Sequence, residues 1–179
     1  MNDPALRRAL LLIDFQYDFL ADNGRMPVDR SQVWPVVQAA RSAIETAQGA
    51  GDLIIKIGNE FRPSQLFGNA IRNHAAIVSS PGADWDPRVD AEDSVYVAKW
   101  KSNAFCNPEL SRLLKDSQIV QVCLAGLFAR ACVTATAKGA MAQGLQVQVI
   151  VDAVACKSNA SRSAALARLA KHGMQLVEW

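Results

Sequence analysis

Three side chains that together could cleave a carbon–nitrogen bond are widely separated in the sequence: Asp14, Lys99 and Cys132. A cysteine attacks a carbonyl carbon as the thiolate, and its reference pKa of about 8.5 leaves little thiolate at neutral pH. A nearby carboxylate can accept the thiol proton, and a nearby ammonium group can lower the thiol pKa and stabilise developing negative charge. A base, a cation and a nucleophile are therefore available if the fold brings them together.

Each of these residues also has an ordinary explanation when taken alone. Cys132 lies in the small-residue stretch "FARACVTATAKGAMAQG" (128–144), and a cysteine in such a stretch is more often a small buried apolar residue. Asp14 could form a turn or a cap, and Lys99 could be a solvated strand end. Cys106 lies near Lys99 in the chain and is a weaker candidate nucleophile.

The common pairing of cysteine with histidine fits this sequence less well. The chain has only two histidines, His74 and His172. His172 lies where a predicted helix ends, a position at which a positive charge interacts favourably with the helix dipole. His74 has no such explanation and stays an alternative, but a Cys–Lys–Asp site fits better.

The elements that must position these residues alternate between short apolar runs and helical patterns. Apolar runs typical of buried strands occupy 9–15, 53–58, 94–99, 119–126, 145–152 and 174–179. Helical patterns occupy 35–48, 66–76, 107–116, 130–143 and 160–171. Alternating strands and helices with near-continuous aliphatic strands predict an α/β fold, in which helices cover both faces of a mostly parallel sheet.

Several turn and cap residues set the expected ends of the helices. We expect Gly49 and Gly51 to end the helix over 35–48, and Asn159 or Ser161 to cap the helix over 160–171.

The strand ends predict where a site lies. In open α/β sheets the ligand crevice lies beyond the carboxyl ends of the strands. Asp14 falls at the end of the first predicted strand, Lys99 at the end of the third, and Cys132 just past the end of the fourth. The sequence therefore predicts that all three side chains converge on one edge of the sheet.

Length and composition indicate a single domain over residues 1–179. A net charge of +2, without a cluster of basic residues, argues against a nucleic-acid or anionic-membrane partner. The apolar run near the N-terminus is short for a signal peptide, and no run is long enough to span a bilayer. We expect a cytoplasmic protein with reduced thiols and a small-molecule substrate.

Three stretches resemble the isochorismatase-like cysteine hydrolases, a superfamily that includes nicotinamidase and N-carbamoylsarcosine amidohydrolase. They are "LLLIDFQYDF" (10–19), "VAKWKSNAF" (97–105) and "GLFARACVTATAKGAMAQGLQVQVIVDAVA" (126–155), in that order along nearly the whole chain. The resemblance implies a three-layer α/β/α sandwich with a six-stranded, Rossmann-like sheet. It also implies that Asp14 is the catalytic base and Cys132 the nucleophile.

The resemblance carries further expectations about the site. It implies a cis peptide bond between Leu127 and Phe128, an oxyanion hole formed by the backbone N–H groups of Phe128 and Cys132, and a homodimer or larger homo-oligomer. The metal-binding pattern of the nicotinamidase branch is missing from "GNEFRPSQ" (58–65), so we expect neither a metal nor another cofactor.

Two departures from the family pattern leave other functions open. Ala129 stands where many members have threonine, and Asn103 stands where serine is common. The chain could therefore be a ligand-binding member of the fold without efficient chemistry, or it could hydrolyse a vinyl ether. Because the isochorismate-cleaving branch typically lacks the cysteine, Cys132 favours hydrolysis of an amide or ureido bond.

Residues that could bind the substrate lie near the predicted strand ends or on the adjoining loops. They are Phe15, Asn59, Glu60, Arg62, Trp85, Trp100 and Phe128. Arg62 could bind a carboxylate through two hydrogen bonds, although it could equally be an ordinary surface residue. Trp85 could instead cover a loop or a subunit contact.

Overall fold

Six parallel strands form one sheet in the computed structural model, which describes residues 7–179. The strands are β1 (Arg8–Ile13), β2 (Leu53–Asn59), β3 (Val95–Lys99), β4 (Gln121–Leu127), β5 (Gln146–Ala155) and β6 (Gln175–Val177). Their order in the sheet is β3-β2-β1-β4-β5-β6, so the chain winds outward from β1 in both directions. Residues 1–6 lie outside the described residues. The first residues of the predicted domain, and of the segment compared with a signal peptide, are therefore not described.

Helices cover both faces of this sheet and complete the predicted α/β/α sandwich. They are α1 (Tyr17–Leu20), α2 (Arg30–Ala50), α3 (Leu66–Ile71), α4 (Pro108–Asp116), α5 (Thr134–Ala142) and α6 (Asn159–Lys171). The long helix α2 packs against β1, β2, β4 and β5, while α6 packs against β5 and β6. The fold class expected from the alternating pattern is confirmed.

The central strands are buried on both faces, which explains their continuous apolar runs. Every residue from Ala9 to Ile13 is fully buried, and so are Val122 to Ala125 in the neighbouring strand. β1 pairs with β2 on one side and with β4 on the other, which places their carboxyl ends side by side.

The start and end of α2 differ from the prediction. The helix begins upstream of Pro35 because the carboxylate of Asp29 accepts a hydrogen bond from the Ser31 N–H and caps the first turn. At the other end only Gly51 terminates the helix, with a left-handed φ of 72°, and Gly49 still lies within it.

The cap of α6 was also predicted wrongly. Ser158 is the cap, and its hydroxyl accepts a hydrogen bond from the Ser161 N–H while the Ser161 hydroxyl accepts one from the Ser158 N–H. This reciprocal pair satisfies two backbone donors at once, which neither Asn159 nor Ser161 alone would do.

The helix predicted over 66–76 ends early, at Ile71. Asn73, His74 and Ala76 have φ values of 52°, 57° and 51°, and a chain in the left-handed region cannot continue a right-handed helix. The segment after α3 is therefore a loop, and it folds back toward the first strand.

The exposed surface of α3 is apolar. Leu66, Phe67 and Ile71 are each at least 70% exposed.

The expected homo-oligomer stays a prediction, as do the single-domain organisation and the cytoplasmic location. Among residues 7–179, no helix combines the length and hydrophobicity that a membrane span needs.

Candidate active site

Asp14, Lys99 and Cys132 meet at the carboxyl edge of the sheet, as their positions after the strands predict. The Lys99 ammonium group donates to Asp14 Oδ2 at 3.0 Å and to Cys132 Sγ at 3.4 Å. Asp14 and Lys99 are fully buried, and Cys132 is 7% exposed. Three residues far apart in sequence therefore form one contiguous, largely dehydrated cluster.

The sheet order explains how Lys99 reaches across to Asp14. Lys99 ends β3 and Asp14 follows β1, so the end of β2 lies between them. Asn59 ends β2, and its Oδ1 accepts a hydrogen bond of 2.5 Å from Lys99 Nζ. Asp14 turns out of its strand with a φ of 62° while its N–H still donates to the Ile57 carbonyl at 2.8 Å.

Cys132 lies in a wide turn rather than in the regular helix expected from residue 130. Ala129–Val133 form a single turn of π-helix between β4 and α5. The Phe128 carbonyl accepts from the N–H groups of both Ala131 and Val133, and the Thr134 hydroxyl donates to the Ala129 carbonyl at 2.6 Å. These bonds fix the turn that carries Cys132. The Leu127–Phe128 peptide bond is cis, as the family resemblance implies.

Burial dominates the electrostatics of the cluster. It raises the pKa of the Asp14 carboxyl although Lys99 opposes the shift. Burial, together with the negative charge of Asp14, raises the pKa of the Cys132 thiol to about 11 despite the opposing effect of Lys99. Lys99 acts on the thiol pKa in the expected direction, but loss of hydration and a neighbouring anion outweigh this one cation, so the thiol pKa is raised overall.

Lys99 shows the opposite balance. Burial lowers the pKa of its ammonium group, but the charge of Asp14, together with that of Cys132 once its thiol is ionised, outweighs burial and raises the pKa overall. The resting cluster is consequently an ammonium ion beside a neutral thiol and a carboxyl group of enhanced basicity. Among residues 7–179, nothing hydrogen-bonds to Asp14 Oδ1, which is buried.

A cleft of about 400 Å³ opens over the sulfur atom. It is lined by Phe19, Met26, Asn59, Phe61, Gln65, Arg72, Trp100, Lys101, Ser102, Phe128, Ala131 and Cys132. The walls are mainly aromatic and apolar, and a few polar groups converge near the thiol, as in many small-molecule sites.

Comparison with known proteins identifies the family. The model of the isochorismatase domain matches residues 8–179. The chain belongs to the isochorismatase family. This assignment confirms the resemblance seen in the three sequence stretches.

Known hydrolases and an amidase resemble the chain in sequence or in fold. Streptothricin hydrolase from Streptomyces noursei is 28% identical over 150 residues, which are 82% of this chain and 53% of that protein. This chain thus spans about half the length of that relative. The crystal structure of nicotinamidase from Bacillus subtilis superposes with a TM-score of 0.87 at 24% identity, covering 96% of this chain and 99% of that one.

The N-carbamoylsarcosine amidase from Thermoplasma acidophilum has a TM-score of 0.83 at 21% identity, covering 96% of both chains. At these identities the two structural likenesses establish the shared fold.

In this isochorismatase-family site, three of the predicted substrate-binding residues line the cleft: Asn59, Trp100 and Phe128. Asn59 also belongs to the cluster of Asp14, Lys99 and Cys132, since its Nδ2 lies 3.9 Å from Cys132 Sγ while its Oδ1 accepts a hydrogen bond from Lys99. Sequence position alone did not suggest this second contact.

Phe15 and Trp85 lie away from the cleft lining. Phe15 is fully buried and packs edge-to-face against Trp85 at a centroid distance of 6.2 Å. The Trp85 indole N–H donates to the Val89 carbonyl at 2.6 Å. Both side chains therefore close the core under a loop, which was the alternative explanation for Trp85.

Glu60 and Arg62 are likewise absent from the cleft lining. Glu60 accepts a hydrogen bond from the Tyr96 hydroxyl at 3.0 Å. Arg62 is exposed, and its guanidinium carbon lies 5.2 Å from the centroid of the Trp100 ring. A charged side chain that stacks on an aromatic ring at the surface keeps its hydration. Arg62 therefore stays at the surface, although it follows the end of β2.

Arg72, like Lys101, is a charged lining residue that the sequence did not indicate. It falls within the helix predicted over 66–76, but α3 ends at Ile71 and Arg72 is its C-terminal cap. The helical pattern does not predict this early end, and it therefore does not predict what the Arg72 side chain faces.

The expected absence of a metal stays a prediction. Within residues 7–179, no three histidine, cysteine or acidic side chains are grouped as a metal site would need.

Proposed function

We propose that the protein is a cysteine hydrolase that cleaves the C–N bond of a small amide or ureido compound. The observation that carries this proposal is the position of the Lys99 ammonium group between Asp14 Oδ2 and Cys132 Sγ, directly under the cleft. A nucleophile, a base and a cation in mutual contact beside a small-molecule cavity suit nucleophilic attack on a carbonyl carbon.

Asp14 activates the thiol during the attack. Because the pKa of Cys132 is raised to about 11, a preformed thiolate is scarce at neutral pH and the proton must leave as the S–C bond forms. The raised pKa of Asp14 makes it a better proton acceptor than an ordinary carboxylate. Its Oδ1, which no group of residues 7–179 engages, is available for that proton.

Acylation then proceeds through a tetrahedral intermediate. Cys132 Sγ bonds to the carbonyl carbon, and the carbonyl π electrons move to oxygen. Protonated Asp14 donates its proton to the substrate nitrogen, the C–N bond breaks, and ammonia or an amine departs. A thioester on Cys132 remains, and Lys99 stabilises the negative charge near sulfur throughout.

Hydrolysis of the thioester restores the cluster. Asp14 takes a proton from a water molecule as its oxygen attacks the thioester carbon. The C–S bond breaks, the proton returns from Asp14 to the thiolate, and the carboxylic acid leaves. Each cycle therefore consumes one water and leaves the three side chains in their original protonation states.

Two backbone N–H groups are proposed to hold the oxyanion, those of Phe128 and Cys132. The Phe128 N–H has no acceptor among residues 7–179, although the residue borders the cleft. An unpaired donor beside the nucleophile can bond to a developing oxyanion without breaking an existing hydrogen bond.

Relatives support an amide-type substrate. Proteins similar to this chain include a streptothricin hydrolase, a nicotinamidase and an N-carbamoylsarcosine amidase. Among the alternatives, vinyl-ether hydrolysis needs no thiol nucleophile and leaves the buried Lys99–Cys132 contact without a role. Ligand binding without chemistry leaves the available Asp14 oxygen without a role.

The test is turnover of a compound panel by three proteins. Primary amides, carbamoyl compounds and isochorismate are incubated with wild type, Cys132→Ala and Cys106→Ala, with ammonia or pyruvate release as the readout. We expect ammonia from wild type and Cys106→Ala, and a loss of at least about 10³-fold in kcat/KM for Cys132→Ala. Undiminished turnover by Cys132→Ala, or cleavage of isochorismate alone, contradicts the proposal.

A further inference from the structure

A guanidinium group without an anionic partner lines the same cleft as the nucleophile. Arg72 and Cys132 both contribute to the cleft wall. None of the ion pairs formed within residues 7–179 includes Arg72. Burial lowers the pKa of Arg72 overall, and only the negative charge that Cys132 carries as a thiolate opposes this shift, so the guanidinium attracts the ionised form of Cys132 across the cavity.

The position of this guanidinium is set by three neighbours. Its central carbon lies 3.6 Å from the centroid of the Phe61 ring, and its Nη2 donates to Asn69 Oδ1 at 3.0 Å. On the third side it packs against Gly68, where an added Cβ would lie 2.9 Å from Nη2. The planar guanidinium of Arg72 is held in one orientation by these three contacts together.

Most of the hydrogen-bonding capacity of Arg72 is unused. A guanidinium has five N–H donors. The only hydrogen bond that this group donates within residues 7–179 is the one to Asn69, and its Nε is buried without an acceptor. A cation held in place with free donors suits a ligand that brings oxygen acceptors and negative charge.

The rest of the lining leaves the cleft positively charged. Arg72 and Lys101 are its charged residues apart from the nucleophile, and neither aspartate nor glutamate lines it. Lys101 is exposed and therefore hydrated, which leaves Arg72 as the positioned cation. One guanidinium matches an anion of single charge, which favours a carboxylate over a phosphate.

We infer that Arg72 binds a carboxylate of the substrate, and hence that the substrates are small amides or ureido compounds that carry a carboxylate besides the scissile C–N bond. The assignment of substrate class rests on the proposed function, whereas binding of a carboxylate in the cleft does not require turnover. Arg72 thus takes the role that the sequence suggested for Arg62.

Binding to a protein without the nucleophile tests the inference directly. Succinamate and butyramide share a four-carbon amide skeleton, in which succinamate has a carboxylate where butyramide has a methyl group, and their affinities for Cys132→Ala are measured by calorimetry. We expect succinamate to bind at least about tenfold more tightly, because a charge-assisted pair with Arg is strong and specific. We expect this preference to vanish in Cys132→Ala/Arg72→Met and to persist in Cys132→Ala/Arg62→Met.

The Arg62 variant is the matched control, because Arg62 also stacks on an aromatic ring but lies outside the cleft lining. Arg72→Lys retains the positive charge but lacks the planar guanidinium that donates two hydrogen bonds, so we expect it to keep part of the preference for succinamate. Melting curves verify that each variant is folded. Equal affinity for the two ligands, no binding of either in the millimolar range, or a preference that survives Arg72→Met overturns the inference.

Alkylation of the wild-type thiol separates failure of this inference from failure of the proposed function. The ratio of the iodoacetate rate to the iodoacetamide rate at Cys132 is expected to fall at least about tenfold in Arg72→Met and to stay constant in Arg62→Met. An unchanged ratio in Arg72→Met overturns the carboxylate site. Full turnover in Cys132→Ala overturns the proposed function instead, and the binding measurement still decides the role of Arg72.

Discussion

Lys99 Nζ lies 3.4 Å from Cys132 Sγ, yet the thiol is a weaker acid than cysteine in water. The ammonium group favours the thiolate, but burial and the Asp14 carboxylate favour the thiol more strongly. The cluster thus keeps the Cys132 thiol protonated at rest, and in the proposed mechanism Asp14 and Lys99 act when the substrate carbonyl arrives. This balance leads to predictions about both stability and rate.

The raised thiol pKa predicts a loss of stability in alkaline solution. The unfolded chain ionises Cys132 near pH 9.0, whereas the folded chain ionises it near about 11, so between these values the folded state binds more protons. By linkage, stability falls as pH rises through this window, by about 2–3 kcal/mol. We expect wild type to lose that much more unfolding free energy than Cys132→Ala, measured by urea denaturation across the window. Parallel curves for the two proteins would contradict a raised pKa.

Removing the buried cation should destabilise the fold. Lys99→Met leaves the Asp14 carboxylate buried without its partner, and we expect a loss of about 3–5 kcal/mol in unfolding free energy at neutral pH. The double variant Asp14→Asn/Lys99→Met removes both charges, so it should recover a large part of that loss. Denaturant titration of the four members of this cycle measures the coupling. Additive effects would show that the ion pair contributes nothing.

Asn59 should affect rate through the position of Lys99. Its carboxamide bonds to Lys99 Nζ, and its backbone is held by Gln16, whose Nε2 donates to the Asn59 carbonyl at 2.9 Å. We expect Asn59→Ala to lower kcat by about 10²-fold while the fold persists, because a misplaced ammonium group stabilises the transition state poorly. Steady-state kinetics on a substrate found in the panel, with circular dichroism as the folding control, provides the measurement. An unchanged kcat would remove Asn59 from the positioning network.

A glycine packed against the Asp18 side chain should not tolerate a side chain of its own. A Cβ at Gly82 would overlap the Asp18 carboxylate, which accepts hydrogen bonds from the Arg25 and Ala76 N–H groups. We expect Gly82→Ala to lower the free energy of unfolding by about 1–3 kcal/mol.

The matched control is Gly49→Ala in the exposed last turn of α2, where a Cβ meets no atom within 4 Å. There the helix propensity of alanine should raise stability by up to about 1 kcal/mol. Thermal melts of the two variants should therefore shift in opposite directions, and equal shifts would contradict the close approach at Gly82.

The layered α/β fold, and the sheet edge that carries the candidate active-site residues, could both be predicted from the amino-acid sequence. Buried parallel strands have to be apolar along their whole length, so β1 and β4 can be recognised in the sequence as continuous apolar runs. Because the carboxyl ends of parallel strands share one edge, Asp14, Lys99 and Cys132 could be expected to converge there. Which residues follow the carboxyl end of each strand is a local property of the chain.

The protonation states and the walls of the cleft depend on three-dimensional packing. The thiol pKa depends on how completely Cys132 and Asp14 are removed from water, and that is a sum over neighbours from several strands. Arg72 lines the cleft and Arg62 does not, although the helical pattern over 66–76 predicts neither this difference nor the early end of α3 just before Arg72. Local sequence determines which elements form, whereas the packing of distant segments determines what each side chain faces.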